Sequence, residues 1–184
     1  MHARLFVLTD KKNAETSDEA RRFVYQYLCD NDFVSSSRFH DSSIDWFVIG
    51  GRWSGELTRL QMDREKLKQF EEEFEKLYGW YVDKDNDEKT RRAQAESLFK
   101  KYFPDFKGIM PYWRDTYKEY GCEDDAQIVN EEIFKNLQTL TNIDEDKEAL
   151  YDGKGFVYLD KPNTELKKEK IVGKTWAVVI DFHY

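Results

Sequence analysis

The chain has 184 residues, enough for a single domain able to bury about 70% of its unfolded surface. Hydrophobic residues make up 40%, aromatic residues 16% and charged residues 36%, so the core must use few, large side chains, each ring burying roughly 150–250 Å². With 29 Lys+Arg against 37 Asp+Glu, the net charge of −8 argues against broad nucleic-acid binding, which relies on a basic face.

Ala3 to Thr9 reads as a first strand, with Leu5, Phe6, Val7 and Leu8 as a buried apolar run. Thr16 and Glu19 form a capping-box pair. The helix that follows places Ala20, Phe23, Val24, Tyr27 and Leu28 at helical spacing, and Asn31 and Asp32 close it. Cys29, among these apolar neighbours, is expected as a buried thiol. The 2 cysteines, Cys29 and Cys122, show no metal-ligand spacing and give no sign of an oxidising compartment. Phe33 to Ser43 is a polar loop, and Ile44 to Ile49 is a second strand closed by Gly50-Gly51.

The middle of the chain is helical. Leu67, Phe70, Phe74 and Leu77 recur at intervals of three and four in a densely charged segment. After a polar turn at Asp83 to Asp87, a second helix runs from about Thr90 to Phe103 and is stopped by Pro104. Asp124-Asp125-Ala126 is expected to open a further helix, its acids suiting the helix dipole, with Ile128, Ile133, Phe134 and Leu137 inward. Gly155 to Leu159 is a short strand. Thr175 to His183 is the last one, apolar on both faces at its centre and so interior.

The pattern predicts an α+β fold for residues 1–184 as a single domain. It has a mostly antiparallel sheet of about four strands and a helical insertion at about 58–138. No stretch approaches the roughly 20 apolar residues that span a bilayer, so no membrane partner is expected. The first residues lack a signal-peptide core, and the cytoplasm is the expected compartment.

Chemistry concentrates in Asp45-Trp46-Phe47-Val48-Ile49-Gly50-Gly51-Arg52-Trp53-Ser54-Gly55. Gly50 and Gly51 suit either a positive φ that lets a ligand approach the backbone or a tight bend after a strand. Arg52, beside Trp53, suits a carboxylate, phosphate or base ligand, or else a structural ion pair. The loop is neither a P-loop nor a dinucleotide fingerprint. Asp181 and His183 lie two apart on a strand and share a face. They can share a metal, or Asp181 can orient the imidazole for acid–base work, or the segment can simply be a solvated strand end. Asp83-Asp85-Asp87 opens like a calcium loop but carries Glu88 and Gln94 where that loop needs its glycine and bidentate glutamate. A phosphoryl-transfer enzyme would want a basic groove that the charge balance does not offer.

The Asp45–Gly55 stretch resembles a motif of uncharacterised bacterial and phage proteins, Asp-Trp-(Tyr/Phe)-x-(Ile/Val)-Gly-Gly-Arg-Trp-(Ser/Thr)-Gly. Those proteins often finish on a short strand ending Val-Val-Asp-Cys-His-Ile. Here Val178-Val179-Ile180-Asp181-Phe182-His183-Tyr184 is similar in its Asp and His, with Phe182 in place of the Cys. The resemblance covers about twenty residues and implies where a site lies, with no mechanism attached.

The expectation is therefore a cytoplasmic protein with a small-molecule or anion-binding site joining the Gly50–Gly55 loop to the final strand. Arg52 would bind the anionic group, Asp45, Trp46, Trp53, Gly50 and Gly51 would line the site, and Asp181 and His183 would supply any catalytic or metal-binding chemistry. The residues do not fix a metal, a cofactor or whether the site is catalytic. The alternative is a non-catalytic protein-interaction module of the phage or mobile-element accessory type, in which Gly-Gly-Arg-Trp is a structural corner.

Overall fold

The computed structural model describes residues 2–30, 46–78, 87–105, 119–140, 150–151, 155–158 and 167–183. Its strands are β1 (His2–Asp10), β2 (Trp46–Ile49), β3 (Ala126–Ile128), β4 (Leu150–Tyr151), β5 (Gly155–Tyr158) and β6 (Thr175–His183). Its α-helices are α1 (Ser17–Asp30), α2 (Glu56–Arg59), α3 (Arg64–Tyr78), α4 (Glu88–Tyr102), α5 (Glu131–Leu140) and α6 (Lys168–Ile171). The fold is α+β with an antiparallel sheet ordered β2-β6-β1-β5-β4, and β3 also pairs with β6. The expected sheet of about four strands is the run β2-β6-β1-β5, to which β3 and β4 add segments of 3 and 2 residues.

Strand β6 is interior, as its sequence predicts, and every residue in it except His183 is buried. Alternation sends Trp176, Val178, Ile180 and Phe182 to one face, where they pack with Leu5, Val7 and the Ala20–Val24–Leu28 stripe of α1. Ala177 and Val179 face the other way, with Phe6, Leu8, Leu57 of α2, Ile133 and Leu137 of α5, and Ile171 of α6. A strand covered on both faces has no polar side to spare. A polar residue in β6 must therefore find its partners inside the protein.

The start of α1 follows the predicted capping box: the Glu19 amide donates to Thr16 Oγ1 at 3.2 Å and the Thr16 amide to Glu19 Oε2 at 3.3 Å. Cys29 corrects an expectation, because its side chain is exposed. The buried stripe recurs at Ala20, Val24 and Leu28, and the next residue is turned about 100° away from it. Cys122 is half-buried.

The second correction falls at Asp124–Ile128. The acids do not open a helix. Glu123–Asp125 is a single 3-10 turn, and Ala126–Ile128 is strand β3, paired Ala126 to Val178 and Ile128 to Trp176. Helix α5 begins later, with Glu131 and Glu132 in its first turn, and Asn130 Oδ1 accepts the Ile133 amide at 2.9 Å. Loss of that cap in Asn130→Ala is expected to cost about 1 kcal/mol, read as a fall in the urea midpoint.

The chain divides into two compact units, residues 1–61 with 114–184, and residues 62–113. The first holds the sheet with α1, α2, α5 and α6. In the second, α3 and α4 pack through Phe70, Ala95 and Phe99 with Phe74, Leu98 and Tyr102 around them. The Tyr102 hydroxyl donates to Glu73, which holds the Glu73 carboxyl below its ordinary range and pushes the Tyr102 phenol above its own. No described helix is long and apolar enough to cross a membrane. The predicted features at 31–45, at 83–86 and at Leu159 lie outside the described residues.

Candidate functional site

The outer edge of β6 is shared by two strands lying end to end. Strand β2 pairs with Ile180–His183 and β3 with Trp176–Val178. Between them, Val179 accepts the Gly50 amide at 2.8 Å. Ile49 pairs with Ile180 and Ala126 with Val178, so Gly50 leaving β2 and Asp125 approaching β3 reach the same rung. Two segments that are 75 positions apart in the chain thus meet where only one backbone can continue.

That crowding explains the two glycines. Gly50 has φ 74° and ψ −77°, and a Cβ there would lie 2.3 Å from Asp125 Oδ2. Gly51 has φ 52°, and its Cβ would lie 2.5 Å from both Cβ and Oδ2 of Asp181. Positive φ is open to glycine at little cost, and here the space a side chain would need is filled by two carboxylates.

Both carboxylates are fully buried, at 0% exposure. Asp125 accepts from Ser54 Oγ at 2.9 and 3.0 Å, from the Gly55 amide at 2.9 Å and from the Cys122 amide at 2.7 Å. These donors use both of its oxygens, which is how a buried charge is kept tolerable. The Cys122 side of this loop is tied back to α1. The buried Arg21 guanidinium donates to the carbonyls of Tyr120 at 2.6 Å and Gly121 at 3.1 Å, and Ser17 Oγ donates to the Glu123 carbonyl. Asp181 holds the other end of the glycine turn, accepting the Arg52 amide at 2.9 Å.

The sheet register assembles the surroundings of Asp181. Its opposite residues are Arg4 on β1 and Val48 on β2, and opposite residues in an antiparallel ladder share a face. The Arg4 guanidinium lies 5.3 Å from the Phe6 ring centroid and 5.1 Å from that of Trp53. It also pairs with Glu56 at 2.5 Å, and Arg59 approaches the same carboxylate at 3.6 Å. The Trp53 face toward the sheet is therefore occupied by Arg4.

One step further along β6, His183 and its register partner Trp46 stack, with ring centroids 5.7 Å apart and planes 3° from parallel. His183 is half-buried at this end of the face, and the Arg52 side chain is exposed. Among the described residues no acidic side chain pairs with the Arg52 guanidinium, although its amide is fixed by Asp181. The structure thus gathers Gly50, Gly51, Arg52, Trp53, Trp46, Asp181 and His183 around the β2–β6 end of one sheet face. Asp45, the remaining candidate, lies outside the described residues.

Sequence reasoning missed Asp125, Arg4, Ser54 and Glu56. Ser54 lies within the conspicuous motif, but the partner that makes it matter is 71 positions away. Among the described residues no three His, Cys, Asp or Glu side chains are grouped to hold a metal ion. No protein-family model, curated protein or solved structure matches this chain.

Proposed function

We propose that the protein binds a small anion-bearing molecule at the β2–β6 end of this sheet face, with Arg52 meeting the anionic group. The observation that carries this reading is the contrast within Arg52: its backbone is fastened to a buried carboxylate, while its guanidinium is exposed with no acidic side chain paired to it among the described residues. A planar donor fork on a fixed backbone suits a phosphate or carboxylate. The stacked Trp46 and His183 supply an apolar wall and an imidazole able to carry a proton or ligate a metal. On this reading Asp181 acts first on the loop, and Trp53 supports Arg4 more than it stacks on a ligand.

The alternative, an interaction module with Gly-Gly-Arg-Trp as a corner, is favoured by one observation: the glycine turn is wedged between two buried carboxylates. The two readings agree on the glycines and divide at Arg52. Arg52→Ala is expected to change stability by less than about 0.5 kcal/mol, as exposed side chains do. The same variant should lose the rise in melting temperature that inorganic phosphate or citrate gives the parent protein. A parent protein whose melting temperature ignores both anions would remove the support for this reading and leave the corner.

A further inference from the structure

We infer that Asp125 is a positioning residue of the Arg52 site. This rests on the anion-binding reading above. The Gly50–Gly55 loop is fastened at three points along its length. The Gly50 amide is held by Val179, the Arg52 amide by Asp181, and the Ser54 hydroxyl and Gly55 amide by Asp125. The first two anchors belong to β6. The third comes from the 3-10 turn before β3, so the far side of Arg52 is set by a different part of the chain.

Asp125 is itself held rigidly. Its second oxygen takes the Cys122 amide, and Arg21 and Ser17 of α1 hold the carbonyls on either side of that residue. Gly121 has φ 65°, and a Cβ there would sit 2.7 Å from Asp125 Oδ2, so this turn is closed around the carboxylate as tightly as the glycine turn is. The result is a chain of contacts from α1 through Gly121–Cys122 and Asp125 to Ser54–Gly55, ending two residues from Arg52. An exposed arginine on a loose loop loses freedom each time it binds, whereas one on a loop fastened on both sides is already arranged. Asp125 is buried and acts through the Ser54 hydroxyl and the Gly55 amide.

The test uses the full chain and inorganic phosphate, titrated while the Arg52 side-chain Nε–H resonance is followed by NMR. The temperature is set well below the melting of every variant. Asp125→Asn keeps the shape but turns an amide NH2 toward one of the donors. It and Ser54→Ala should bind phosphate about tenfold more weakly than the parent. Ser54→Thr keeps the hydroxyl and should restore binding to within about twofold. Arg52 amide heteronuclear NOE values should fall in the first two variants and recover in the third, a response that loss of global stability alone would not give. If Asp125→Asn does not fold, the Ser54 pair decides. Folded Asp125→Asn or Ser54→Ala protein that binds phosphate like the parent overturns the positioning role and leaves the Arg52 reading standing. A parent protein whose Arg52 resonance ignores phosphate overturns both.

Discussion

Asp125→Ala is expected to destabilise the protein by about 3 kcal/mol or more, since each buried donor left without an acceptor costs about 1–3 kcal/mol. The substitution strands the Gly55 amide, the Cys122 amide and the Ser54 hydroxyl together. Part of that cost is offset because a fully buried carboxylate no longer has to be desolvated, which keeps the expected value near the lower end of the sum. Equilibrium urea unfolding measures it. The neighbouring Glu123→Ala is the natural control: that side chain is exposed and only its carbonyl is used, so a change within about 0.5 kcal/mol is expected. Equal effects from the two variants would mean that the buried carboxylate carries no special role in holding the two loops together.

Gly51→Ala is expected to cost about 3–5 kcal/mol, of which about 1–2 comes from forcing an L side chain to positive φ and the rest from overpacking. The added methyl would lie 2.5 Å from Asp181 Cβ, on β6, and 2.8 Å from Val48 Cγ1, on its register partner β2. The Asp181 Cβ cannot retreat without breaking the ladder. The origin of the clash has a consequence for double variants. Gly50→Ala meets the carboxyl end of Asp125, so Asp125→Ala should relieve part of its cost. Gly51→Ala meets both Oδ2 and Cβ of Asp181, and Asp181→Ala removes only the first, so there the penalty from the Cβ should persist. Thermal unfolding of the two pairs separates these outcomes, and complete relief in the Gly51 pair would contradict the described approach of Gly51 to the Asp181 Cβ.

The motif around Gly50–Gly55 stood out in the sequence, but for an incomplete reason. Gly-Gly after an apolar strand signals positive φ or a close approach, and both occur. What approaches is a pair of carboxylates from positions 125 and 181, and nothing in the local spacing names them. Asp125 was misleading because an acid pair ahead of an apolar stretch has an ordinary explanation at a helix start. The real helix start lies at Asn130, beyond a strand of 3 residues that is too short to show a period. Arg4 was hidden for a related reason. Its place over Phe6 and Trp53 depends on β1 and β6 being neighbours, with Arg4 opposite Asp181.

By itself the sequence determined whatever depends on neighbours along the chain. The α+β class, the capped start of α1, the amphipathic α3, the interior character of β6 and the shared face of Asp181 and His183 all follow from spacing, because period and capping act over a few residues. Only the tertiary structure decided what stands beside what: that β2 and β3 meet on one edge of β6, that Asp125 and Asp181 close on the glycine turn from two directions, and that Trp46 stacks on His183. Those contacts join residues 48 to 137 positions apart, and they form because strand register, which no local pattern encodes, brings buried carboxylates to the donors they need.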